Sequence, residues 1–104
     1  MSNYLFIYRG GTTPDSPEEG ARVMQAWTDW LGGLGEAVID PGNPVSQVRI
    51  VAANGSVSDG GGNPCTGYSV IKADSLDAAV AIAKGCPGLQ SNTSVEVAET
   101  FAGM

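Results

Sequence analysis

The chain has 104 residues, 42% of them hydrophobic and 15% charged, enough apolar surface for one core without a structural metal or disulfide. Its formal net charge is −6 and its five basic residues, Arg9, Arg22, Arg49, Lys72 and Lys84, are scattered, which excludes a basic stripe for nucleic acid or an anionic membrane. With no histidine and only two separated cysteines, the usual zinc ligands are missing, and serine–histidine and cysteine–histidine catalysis are excluded.

The opening Met1-Ser2-Asn3 lacks the basic and long apolar regions of a signal peptide, and no apolar run reaches the length of a membrane span. The expectation is a single cytoplasmic domain over residues 1–104, with Cys65 and Cys86 as ordinary thiols and with no metal or cofactor. Tyr4, Phe6 and Tyr8 alternate with Leu5 and Ile7, so residues 3–9 predict a strand that is apolar on both faces. Gly10 to Pro14 read as a loop. Ser16-Pro17-Glu18-Glu19 then supplies a helix cap, a proline at the first helical position and a capping-box glutamate.

Val23, Met24, Trp27, Trp30, Leu31 and Leu34 recur every three or four residues, predicting an amphipathic helix from about Pro17 to Gly32, where glycines stop it. A proline- and glycine-containing connection, residues 40–44, leads to a second predicted strand, Val45 to Ala53. Asn54-Gly55 suits a tight hairpin turn, returning a short strand from Ser56 to Asp59. After the Gly60-Gly61-Gly62 loop comes a strand over Gly67 to Ala73. Asp74 or Ser75 caps a second helix to about Lys84, with Leu76, Ala79, Val80 and Ala83 as its buried stripe. A half-buried strand, Thr93 to Glu99, ends the pattern.

The order is β-α-β-β-α-β with an added hairpin arm, an α+β fold of the ferredoxin-like split-βαβ kind with both helices on one face of an antiparallel sheet. Two helices cover only one sheet face. The apolar residues on the other predict a homodimer that packs through it.

Several segments succeed one another in a recognisable order: Val57-Ser58-Asp59-Gly60, Gly67-Tyr68, Asp74-Ser75-Leu76-Asp77-Ala78-Ala79, Cys86-Pro87 and Val95-Glu96-Val97. With Tyr4 to Tyr8 and Gln47-Val48-Arg49, this order resembles the YCII-related proteins, specifically their DGPF branch, over nearly the whole chain. The resemblance implies a ferredoxin-like protomer, a dimeric α/β barrel formed through the sheets, and a small-molecule cleft in each protomer. Some relatives are lyase- or dehalogenase-type enzymes that use a histidine–aspartate pair. Here Met24 stands near the histidine's place, and Asp59-Gly60 is followed by Gly61-Gly62 where the branch has proline and phenylalanine. The pair's chemistry does not carry over.

A ligand is expected between the first helix and the sheet, near Tyr8, Arg9, Trp27, Arg49, Asp59 and Tyr68, which are the chain's main supply of apolar walls and orienting polar groups. Asp59 suits a general base or a turn cap, Arg9 and Arg49 a carboxylate clamp or surface ion pairs, and the tyrosines a phenol donor or core packing. Three functions are open: a dimeric small-molecule-binding protein without catalysis, a lyase- or dehalogenase-type enzyme using Asp, Tyr or Arg, and a ligand-free regulatory or interaction subunit.

Overall fold

The computed structural model describes residues 2–101, so Met1 and residues 102–104 of the expected domain lie outside the described residues. Strand β1, Ser2–Gly10, alternates buried Tyr4, Phe6 and Tyr8 with half-buried Leu5 and Ile7. Helix α1 spans Pro17–Leu34 and is capped by Ser16, whose Oγ accepts from the Glu19 N–H at 3.1 Å. The Glu19 carboxylate accepts from the Asp15 N–H at 3.3 Å, one residue before the cap, so the serine half of the expected capping box is formed and the glutamate reaches past Ser16. The helix continues past the expected stop at Gly32. Gly32 and Gly33 stand in open space, Leu34 still packs on the core, and the chain turns only at Gly35, where φ is 56°.

After a 3₁₀ turn at Gly35–Ala37, the chain enters β2, Val38–Asp40. Strand β5, Cys65–Ala73, lies next to it, and the four-stranded sheet runs β2-β5-β1-β6 with β6 at Thr93–Glu99 and every neighbouring pair antiparallel. The second strand of the sheet is therefore Val38–Asp40, a correction to the predicted Val45 to Ala53. Its pairing is prolonged by a Pro44–Gly67 bridge and by the Val45 N–H donating to the Thr66 carbonyl at 3.0 Å. By Val45 the free edge of β5 is used up. The next two strands, β3 (Arg49–Val51) and β4 (Val57–Asp59), pair only with each other as a two-stranded arm. The arm turns at Asn54-Gly55, but only Gly55 has positive φ, at 88°, as suits a three-residue turn rather than a two-residue one.

Helix α2, Leu76–Ala83, is capped by Ser75, whose Oγ accepts from the Ala78 N–H at 3.0 Å. Its buried residues are Ala79 and Ala83, with Ala78 and Ile82 packed beside them. Leu76 and Val80, expected in that stripe, are 44% and 36% exposed, because alanine-sized contacts centre the helix on its smaller side chains. The core combines Tyr4, Phe6, Tyr8 and Ile71 of the sheet with these alanines and with Trp27, Trp30 and Leu34. Leu5, Ile7, Val70 and Ala98 are outside that cluster and half-buried. Strand alternation places them together on the opposite sheet face, since Leu5 is opposite both Val70 and Ala98. The result is an α+β fold of two layers, 18 Å through its thinnest dimension.

Candidate functional site

Helix α1 is held on the sheet by two indoles. Trp30 stacks on Phe6 with ring centres 6.5 Å apart, and Trp27 meets Tyr8 edge-on at 4.8 Å and 81°. The two tryptophans meet each other edge-on at 5.7 Å, so they point to different parts of the sheet. Trp27 sits over Gly88, where a Cβ would come within 2.9 Å of its ring. A residue larger than glycine there would push the indole out of its seat.

Props of this size leave a cleft of about 370 Å³ between α1, the sheet and the loop after β2. Met24, Trp27 and Leu31 form the helix wall, Tyr8 and Ser69 the floor, and Pro41 to Pro44 the rim. The loop is held by an Asx turn, with the Gly42 N–H donating to Asp40 Oδ1 at 2.8 Å. Gly42 lies against the Tyr68 backbone at φ 78°, so close that a Cβ would collide with the Tyr68 carbonyl. Asn43 Nδ2 donates to the Tyr68 hydroxyl at 3.3 Å, which fixes the tyrosine beside the rim.

The floor carries one polar relay. The Tyr8 hydroxyl donates to Ser69 Oγ at 2.9 Å, and Ser69 donates to the Pro41 carbonyl at 2.7 Å. Tyr8 and Ser69 are 5% and 1% exposed, so both would be costly to leave unpaired. Burial pushes the Tyr8 phenol up to about 12; the Ser69 bond opposes the shift and the nearby Cys86 adds to it. Tyr8 therefore stays protonated at neutral pH. Among the described residues no acidic or basic side chain lines the cleft, so it holds no group poised for proton transfer near neutrality. Cys86 lies in the core outside the cleft, its thiol pushed up by burial, with the Gly88 and Leu89 N–H groups opposing.

Of the six residues expected together, Tyr8 and Trp27 line the cleft, Tyr68 borders it at the rim from the register of Ile7 on the edge side of β5, and Arg9, Arg49 and Asp59 do neither. Arg9 is the next residue after Tyr8 and alternation turns it to the other face, where its Nε lies 3.4 Å from Glu96 Oε1. Arg49 and Asp59 face each other across the arm at 3.5 Å, with side chains 61% and 89% exposed. A convergent group of six is thus corrected to two side chains inside the cleft and one at its rim. Sequence reasoning misses Ser69, Asn43 and the Pro41 carbonyl. Ser69 carries a usable signal, because it shares the core-facing register of Gly67, Ile71 and Ala73 and is the one hydroxyl among them. No protein-family model matches the chain, and no curated protein matches it either.

Proposed function

We propose that this chain is a homodimeric, ferredoxin-like protein of the YCII-related type that holds a small organic molecule between its first helix and its sheet, without histidine-dependent chemistry. The observation that carries the reading is the cleft itself: about 370 Å³, apolar walls, and a few polar groups gathered at the floor and rim. Its neutral lining and its protonated Tyr8 favour binding over catalysis.

The sheet order supports the ferredoxin-like description, because counting only its own four strands along the chain gives 2-3-1-4 with both helices over one face. The apolar, half-buried Leu5, Ile7, Val70 and Ala98 support a partner copy on the other face. The YCII-related part of the reading rests on motif order alone. The test has two arms. Light scattering at micromolar concentration should give twice the chain mass, and a monomer only would remove the homodimer. Ligand-observed NMR with a set of neutral aromatic fragments should detect binding to the wild type that Thr28→Trp, which fills the cleft from an exposed helix position, abolishes. Equal binding to both proteins would place the ligand elsewhere and end the cleft reading.

A further inference from the structure

The geometry points to a ligand class for the cleft: a neutral, flat aromatic molecule that donates an N–H or O–H to the cleft floor. This rests on the small-molecule reading above and deepens it. The Pro41 carbonyl can only accept, so the single proton of Ser69 is committed to it. Ser69 Oγ can then only accept from Tyr8, which commits the Tyr8 proton in turn. Lone pairs alone are left on both floor hydroxyls. Two lining threonines have also spent their protons, Thr66 on the carbonyls of Tyr8 and Gly10 at 3.2 and 3.1 Å, and Thr28 on the Met24 carbonyl at 2.9 Å. Four hydroxyls of the cleft thus present acceptors.

Tyr68 keeps a proton, since it accepts from Asn43, and the Trp27 indole N–H, the Asn43 amide and the Thr93 hydroxyl are donors in the walls and rim, so the acceptor bias belongs to the floor. An anion would find no counter-charge, and any ion would lose hydration against an uncharged lining. The near-perpendicular Tyr8 and Trp27 rings form a corner that a flat ring can meet face-on on one side and edge-on on the other. A volume near the lower end of the usual ligand-pocket range fits one or two fused rings.

Calorimetric titration of the wild-type protein with indole, 1-methylindole, quinoline, indole-3-acetate and tryptamine tests the class. Indole donates, 1-methylindole neither donates nor accepts, quinoline only accepts, and the last two carry opposite charges. Indole should bind tighter than each of the others by roughly three- to tenfold, the worth of one neutral hydrogen bond. In the double variant Tyr8→Phe, Ser69→Ala, which removes both floor acceptors, indole should fall to the level of 1-methylindole. In Ser69→Ala, the freed Tyr8 proton should raise quinoline affinity and leave 1-methylindole unchanged. Equal affinity for indole and 1-methylindole, or a preference for quinoline or for either ion, overturns the donor class and leaves the cleft reading standing. Binding of none of the five overturns both.

Discussion

The two helices lie on the same sheet face over opposite kinds of side chain. Helix α2 meets the sheet through alanines, two of them buried, and lines no part of the cleft. Helix α1 has no fully buried residue and rests on two half-buried tryptophans, with the cleft opening beside Trp27. Side-chain size at the contact therefore sets the distance of approach: small residues let a helix settle, and large ones prop it and leave space that only a perfect fit would fill. The cleft is a consequence of that choice.

The largest expected effect comes from removing a prop. Trp30 packs on Phe6, which is 0% exposed, and on the chain at Gly85, whose added Cβ would lie 3.3 Å from the indole Nε1. Trp30→Ala should cost about 2–4 kcal/mol in chemical denaturation, at the low side for a tryptophan because the ring is half-buried. Trp27→Ala should cost about 1 kcal/mol less, since one side of that ring already borders open volume. Equal losses would show that the cleft side is packed as tightly as the rest, and the contrast between the helices would fail.

Alkaline pH reaches both halves next. Tyr8 on the cleft side titrates at about 12 when folded, against about 10 when unfolded, and Cys86, just beyond α2, is also shifted upward by burial. Both groups hold their protons more tightly in the folded state. Their stabilisation is accordingly full below the unfolded values and is lost as pH rises, for Tyr8 between about pH 10 and pH 12. The Tyr8 part amounts to about 2–3 kcal/mol. Urea midpoints measured at pH 8, 10 and 12 should fall more steeply for the wild type than for Tyr8→Phe. Parallel curves would show that the phenol is not held protonated by its surroundings.

How much of this is legible in the sequence depends on the range of the cause. The caps at Ser16 and Ser75 are local, and the helix starts result from them. Strand β2 is three residues long, too short for any alternation to register, and it is specified by the free edge of β5 some thirty positions away. Sequence pattern misplaces the arm into the sheet for the same reason: Val48 to Ala52 alternate well enough, but alternation cannot say that the edge is already taken. At the site, Tyr8, Trp27 and Tyr68 stand out by residue type. Arg9 joins them only by chain neighbourhood with Tyr8, although a strand sends neighbours to opposite faces. Ser69 needs the reverse inference, from a polar residue in a core-facing register to a buried partner.

The smallest effect gives the sharpest comparison, because the same leucine side chain can be set on each helix. Ala79 is 0% exposed on the sheet-facing side of α2 and does not border the cleft, so Ala79→Leu must displace the helix or force poor rotamers and should cost about 1–3 kcal/mol. Thr28 is exposed on α1 and borders the cleft, where its hydroxyl bonds only the Met24 carbonyl one turn back. Thr28→Leu removes that back-bond and a β-branched residue from a helix, and places its added methyl groups where there is room. Its stability should change by no more than about 0.5 kcal/mol, as for a surface substitution. Thermal and urea unfolding of the two variants side by side would measure the asymmetry directly. A Thr28→Leu loss equal to that of Ala79→Leu would mean that α1 has no slack beneath it, and that the cleft is filled by the protein itself.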